Sequence, residues 1–247
     1  GWRTYGAPFA ISGEGDHTLD YRAADRAGNQ EALHSTTLQI DSVAPATAHA
    51  LSGTQGLNGW YTGTVRADLT SSDATSGVDE VYLAGATFSA PVTYTAQGRY
   101  DLSYYAIDAA GNREATRTLA FALDTAPPAA SVIGGAFCPR CGETLVLQPQ
   151  AADAMSGVDQ WRLVLLDGAR DVITWSGNGA PGPIPWSGRD GGGDRLRDGK
   201  TYALQLWVQD QAGWTATDAG QVKLKPKPSS PAPPAPTDPP PPTWTPG

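Results

Sequence analysis

The stretch Tyr104-Tyr105-Ala106-Ile107-Asp108-Ala109-Ala110-Gly111-Asn112-Arg113-Glu114 returns, little altered, as Tyr21-Arg22-Ala23-Ala24-Asp25-Arg26-Ala27-Gly28-Asn29-Gln30-Glu31. A chain that repeats itself in this way is constrained to fold as copies of one module. A third copy, Leu206 to Trp214, keeps the D-x-A-G core of the motif and loses its asparagine. Residues 1–43 align with 84–126 at a constant offset of 83, placing Tyr5 on Phe88, Pro8 on Pro91, Gly15 on Gly98, Asp25 on Asp108, Asp41 on Asp124 and, just past it, Pro45 on Pro128. A second marker, Ser72-Asp73-Ala74-Thr75-Ser76-Gly77-Val78-Asp79, returns at an offset of 80 as Ala152-Asp153-Ala154-Met155-Ser156-Gly157-Val158-Asp159. Each copy lies between two alternating segments and reads as strand, tight turn, strand. Asp73 and Asp108 are 35 positions apart whereas Asp153 and Asp210 are 57 apart, so the last module carries an insertion, within Asp167 to Asp198.

These markers predict a C-terminal half-module at 1–43, a complete module at 44–127, a module with an inserted hairpin at 128–226 and a Pro-rich tail or linker at 227–247. Nothing before Gly1 matches 44–83, and a half-module exposes a sheet edge and an apolar face. With Gly1 first and Met155 the one methionine, the chain is expected to be a piece of a longer polypeptide, so a missing leader says nothing against secretion. The tail cannot build a core and is expected to be an extended polyproline-type spacer, with a Pro-rich docking motif as the alternative.

Gly (29) and Pro (21) are abundant, candidate strands are rich in Val, Leu, Thr, Tyr and Trp, and no window keeps helical periodicity over ten or more positions. An all-β fold is predicted. The net charge of −8, with 17 scattered Lys and Arg and only Lys223, Lys225 and Lys227 grouped, argues against nucleic acid as a partner. No apolar run is long enough to insert in a bilayer.

The order Gly59-Trp60-Tyr61, alternating strand, D-x-x-S-G-V, strand, aromatic-x-x-Pro, Y-x-A-x-D-x-A-G-N-x-E and a closing I/L-D-x-x-x-P resembles the bacterial Ig-like repeats of secreted and surface-anchored proteins, over nearly all of 1–127. The resemblance implies tandem antiparallel β-sandwiches of about seven strands, non-catalytic and extracellular. In the last module, Pro185-Trp186-Ser187-Gly188-Arg189-Asp190-Gly191-Gly192-Gly193 followed by Leu196-Arg197-Asp198-Gly199-Lys200-Thr201-Tyr202 is similar to the W-x-G-x-D-x-x-G hairpin of Ig-like modules in flagellar hook-capping proteins and at the C-termini of secreted enzymes. That implies another sandwich with a longer central hairpin, and no flagellar role.

Turn chemistry accounts for every residue type in the repeated motif. Asp25 and Asp108 accept backbone N–H bonds, Gly28 and Gly111 tolerate positive φ, and Asn29 and Asn112 tolerate the left-handed region. A sharper reading concerns calcium. In an Ig-type sandwich the D-x-x-S-G loop and the last hairpin share a pole, so Asp73 and Asp108 would meet beside the linker residue Asp41, and Asp124, Asp153 and Asp210 would form the equivalent set. Either set suits a hard, oxygen-liganded cation.

Cys138-Pro139-Arg140-Cys141 lacks the second ligand pair that structural zinc needs and the following helix that activates a redox thiol. A local disulfide, two free thiols and zinc all stay open. No G-x-S-x-G and no activated His stands out, and Gly188 to Gly193 lacks the Lys-Ser/Thr of a phosphate loop. Five of the eight tryptophans fall in the last module. Trp161 belongs to a core strand, while Trp175 and Trp186 flank a polar turn, where they either pack on the insertion or stack on sugar rings.

These features point to a non-catalytic spacer and adhesion or interaction segment of a bacterial surface or secreted protein. Its partners would be further modules of the same polypeptide and a surface protein or polysaccharide. The alternative is an accessory, carbohydrate-binding segment of a secreted hydrolase.

Overall fold

The computed structural model describes residues 1–229. From residue 230 onward the tail expected at 227–247 lies outside them. The described residues are built from strands and turns, with one 3₁₀ turn at Pro139–Cys141. They divide into two compact units: 1–128 with 153–157 and 210–214, and 129–152 with 158–209 and the chain from Thr215 on.

The first unit opens with a hairpin of β1 (Gly15–Tyr21) and β2 (His34–Ile40). It continues through β3 (Ala46–Gln55), β4 (Trp60–Ser72), β5 (Val78–Leu83), β6 (Ala86–Thr87), β7 (Val92–Tyr94), β8 (Gly98–Asp108) and β9 (Arg117–Leu123). The repeat seen in the sequence is a repeat of register. Gly15 pairs with Ile40 and Tyr21 with His34 in the first hairpin, as Gly98 pairs with Leu123 and Tyr104 with Arg117 in β8–β9. What differs is cover. Strands β3, β4 and β7 lie opposite β5, β8 and β9, so that Ala67, Leu69, Leu83, Tyr104 and Leu119 form one core cluster. Tyr61, Val65, Phe121 and Leu123 form another. Each such aliphatic side chain contributes about 1.5–3 kcal/mol by leaving water. The β1–β2 hairpin pairs only with itself and leaves Tyr21 and Leu38 exposed, along with Trp2, Tyr5 and Phe9 before it. A two-stranded sheet of this kind is marginal alone.

Strand β4 is longer than the alternation at 64–69 predicts. It starts at Trp60, directly after the left-handed turn at Asn58 and Gly59 (φ 51° and 79°). Its first residues pair parallel with the end of β9, Trp60 with Ala122 and Tyr61 with Leu123. That pairing ties the two layers into one continuous sheet.

The second unit consists of β10 (Ala129–Ile133), β11 (Gly135–Phe137), β12 (Leu145–Ala152), β13 (Val158–Asp167), β14 (Arg170–Asn178), β15 (Ile184–Trp186), β16 (Thr201–Asp210) and β17 (Thr215–Leu224). A three-stranded sheet, β10-β12-β15, faces a five-stranded one, β11-β17-β16-β13-β14. Leu147, Leu163, Leu165, Leu204, Leu206, Val208, Val222 and Leu224 fill the space between them. The chain changes sheet at Gly134, where a Cβ would stand 1.7 Å from the Gln221 carbonyl oxygen; only glycine lets two backbones approach so closely. The insertion foreseen between Asp167 and Asp198 holds β14 and β15. Trp161 on β13 lies against Gly177 on β14, where a Cβ would be 3.1 Å from the indole nitrogen.

Both units are antiparallel β-sandwiches of the Ig type in tandem.

Candidate functional site

The D-x-A-G-N turns are three-residue hairpin loops in which the first and fifth residues close the ladder. In β8–β9, Asp108 N donates to the Asn112 carbonyl (3.1 Å) and Gly111 N to the Asp108 carbonyl (3.1 Å), with Gly111 at φ 91°. A left-handed residue after a type I turn needs glycine. The carboxylate then works as a double acceptor. Asp108 Oδ1 takes the Asn112 backbone N–H (2.7 Å) and Oδ2 takes the Asn112 side-chain Nδ2–H (2.9 Å). Asp25 and Asn29 repeat this clamp at 2.9 and 2.8 Å, and those bonds hold the Asp25 carboxyl below its ordinary value. The same backbone geometry recurs, unforeseen, at Asp190 to Asp194. It accounts for the glycine run there: Gly193, at φ 89°, takes the left-handed place.

The D-x-x-S-G turns are also capped from within. Asp73 Oδ1 accepts the amides of Thr75, Ser76 and Gly77 at 2.9–3.0 Å. Asp153 Oδ1 accepts those of Met155, Ser156 and Gly157 at 2.7–3.0 Å. Asx-type capping of this kind explains why both loops begin with aspartate.

Within the first unit the fold brings the carboxylates together in two triads. One ligand oxygen each from Asp41, Asp73 and Asp108 lie within 4.8 Å of one another, as do those from Asp124, Asp153 and Asp210. The residue that leads in from the preceding strand is anchored in the same way in both. Asp41 accepts Val43 N on Oδ1 and Ser76 N on Oδ2 (both 3.0 Å); its carboxyl pKa is lowered by the Ser76 hydroxyl first, then by the Val43 amide and last by the Ser76 amide. Asp124 accepts Ala126 N on Oδ1 (3.1 Å) and Ser156 N on Oδ2 (3.2 Å).

Apart from the turn serine, whose hydroxyl bonds Asp153 in one triad and accepts Ala110 N in the other, the triads differ at one side chain. Asn112 Nδ2 bridges Asp108 Oδ2 and the Asp41 carbonyl oxygen (3.1 Å). Trp214, at the matching position, donates its indole Nε1–H to the Asp124 carbonyl (3.0 Å) and has no second N–H to offer. Asp210 Oδ1 still accepts the Trp214 backbone N–H (2.9 Å). Asp210 Oδ2 is fully buried and has no hydrogen-bond partner among the described residues. Burial raises the Asp210 pKa, the bonds from Trp214 and Gly213 pull it back, and the charges of Asp124 and Asp153 push it up again.

A buried acid that sequence reasoning missed lies at the end of the motif. Glu114 Oε2 accepts Thr47 N (3.1 Å) and Oε1 accepts the Thr47 hydroxyl, while Arg117 donates to the Thr47 carbonyl (3.0 Å). The signal was present: Glu31 and Glu114 recur, and the last module has Ala216 there and Ala130 opposite.

Cys138 and Cys141 form a disulfide across the 3₁₀ turn, with Glu143 accepting Cys138 N at 2.7 Å. Trp186 is 4% exposed and packs edge-on against Phe137 (5.4 Å) and Trp175 (6.4 Å), its indole N–H bonded to the Arg189 carbonyl (2.7 Å). Sugar stacking needs an open ring face. Trp186 has none, because the insertion folds over the sheet; Trp175 stays half-buried. The surface depression bordered by Trp60, Arg99, Tyr100, Asp101 and Phe121 has the Arg99 guanidinium 4.5 Å above the Trp60 ring, a cation–π contact that occupies the charge.

No family model matches the chain and no curated protein matches it. Similar solved structures include the fibronectin(III)-like modules of Clostridium thermocellum CbhA, at 15% identity over 72% of this chain and 95% of that one, TM-score 0.31. A tetra-tandem repeat from the extending region of a large adhesion protein aligns at 20% identity over 85% of this chain and 57% of that one, TM-score 0.34. A Ca²⁺-stabilized adhesin of an ice-binding Antarctic bacterium aligns at 17% identity over 86% of this chain and 57% of that one, TM-score 0.28.

Proposed function

We propose that this chain is a non-catalytic spacer and adhesion segment of a bacterial surface or secreted protein, built from modules 44–127 and 128–226 with a half-module at 1–43. The observation that carries this is the way the connecting residues are held. Asp41 and Asp124 each cap their own connector through the amide of Val43 or Ala126, accept one amide of a D-x-x-S-G turn, from Ser76 or Ser156, and hold the last hairpin through their own carbonyls. A connector held in this way moves less than the polar linker that its length would allow.

Chemistry favours the same reading. The aspartates that could have formed an acid–base pair are spent as turn acceptors. The Cys138–Cys141 disulfide suits an oxidising, extracellular compartment. Among the described residues no helix is long and apolar enough to cross a membrane.

The test is substitution in the polypeptide that carries the segment. Replacing 44–226 by two unrelated β-sandwiches of equal length should preserve surface attachment, and deleting it should abolish attachment. Attachment kept with the replacement assigns the segment its spacer role, attachment lost in both assigns it the adhesive one, and attachment unchanged by deletion overturns the reading. Glycan-array binding that vanishes with Trp175→Ala would instead favour the carbohydrate-binding alternative.

A further inference from the structure

We propose that Asp124, Asp153 and Asp210 bind one calcium ion, and that the matching set Asp41, Asp73 and Asp108 does not, because the Asn112 amide already occupies Asp108 Oδ2. This goes beyond the spacer reading and stands or falls separately from it.

Acidic clusters are common without metal. Here, however, the fold supplies its own control, because two triads with matching backbone-amide caps differ in whether the last aspartate's second oxygen has a donor; the only other difference in their caps is that the Ser156 hydroxyl also bonds Asp153 Oδ1 while Ser76 Oγ accepts Ala110 N. In the first, Asn112 Nδ2–H joins Asp108 Oδ2 to the Asp41 carbonyl, so every carboxylate oxygen the turn buries has a partner. In the second, the Trp214 indole keeps the bond to the carbonyl and leaves Asp210 Oδ2 without one. Native proteins rarely bury a carboxylate oxygen unpaired, and a cation is the usual answer where other carboxylates converge on it. Asp124 is likewise fully buried beside Asp210. With no cation between them, two buried carboxylates and the half-buried Asp153 converge without compensation.

The donor set points to the ion. Three carboxylates that each bring one oxygen within 4.8 Å of the others are hard oxygen ligands, which calcium takes in flexible geometry, whereas magnesium demands a near-ideal octahedron and keeps its waters. The ligands come from three separate stretches, so the ion would join the end of β9 to the β12–β13 and β16–β17 turns.

The experiment is calcium chloride titration of the full chain by calorimetry after chelation, with terbium luminescence as a second readout, since Trp214 touches the site and should sensitise bound terbium. One ion per chain is expected. Asp210→Asn should weaken binding at least tenfold and abolish sensitised emission, whereas Asp108→Asn should leave one ion bound. Trp214→Asn restores the amide of the other triad; it should lose the ion yet melt in chelator no lower than the parent chain, which keeps the test decisive if Asp210→Asn fails to fold. No binding at millimolar calcium, two ions per chain, or loss of the ion in Asp108→Asn with retention in Asp210→Asn would each overturn the proposal.

Discussion

Glu114 is the residue whose removal most directly tests how the first unit is closed. Thr47 sits near the start of β3, an edge strand, with 2% of its surface exposed, and Glu114 is 8% exposed. Glu114→Ala leaves the Thr47 backbone N–H buried with no acceptor, while the hydroxyl keeps only Ser71 Oγ. A hydrogen bond to a charged group is worth about 1.5–3 kcal/mol, and an unpaired buried donor costs about 1–3 kcal/mol. For each bond these are two views of the same loss, and Glu114 accepts two bonds from Thr47, of whose donors only the hydroxyl keeps another partner, so the expected destabilisation is about 2–4 kcal/mol. At ~1.4 kcal/mol per factor of ten, the best-protected amides of β3 and β4 should exchange with deuterium roughly 30-fold to several hundred-fold faster, readable by mass spectrometry on the full chain. Thr47→Ala in the Glu114→Ala background should cost less than it does alone, with a coupling of about 1–2 kcal/mol. The last module, with Ala130 and Ala216 in these places, shows that the sandwich accommodates the double replacement. A loss below about 0.5 kcal/mol, or strict additivity, would show that the buried carboxylate closes nothing.

Gly134→Ala should destabilise the second unit by about 3 kcal/mol or more, because the new Cβ meets backbone rather than a movable side chain, whereas Gly182→Ala, with nothing within 4 Å, should be near neutral in thermal melts. Removing residues 1–40 should leave the melting midpoint of the remainder within about 1 °C, since the β1–β2 hairpin buries almost nothing while Asp41 stays in place; a fall of several degrees would mean the hairpin is packed in solution. The Asp25 carboxyl should titrate below the usual aspartate range by NMR and rise part of the way back in Asn29→Ala, which removes the side-chain donor and keeps the backbone ones. Its contribution to the hairpin is present above the ordinary aspartate value and is lost as pH falls through the lowered one.

The local devices were readable from residues alone because their chemistry is local. Asp108 caps its own turn, Gly111 supplies the positive φ, and the offset of 83 between copies is the offset between hairpin registers. Tyr104, Ala106 and Asp108 share the buried face of β8, since a strand presents every second residue to the same side. Other features needed the folded chain. Thr47 and Glu114 meet across 67 positions; the recurrence of Glu31 and Glu114 marks the acid in the sequence, and only the fold supplies its partner. Trp186 lost its open face when the insertion folded over the sheet, a matter of where β15 pairs rather than of which residue it carries.

The two aspartate triads mark the boundary between the two kinds of information. Their composition and even their convergence follow from the repeated motifs. Whether each triad is already satisfied depends on one side chain reaching two acceptors, which an amide does with its two hydrogens and an indole, with one, does not. That is a property of distances between segments brought together only by the sandwich, and it leaves Asp210 Oδ2 as the buried oxygen that the tertiary structure alone reveals.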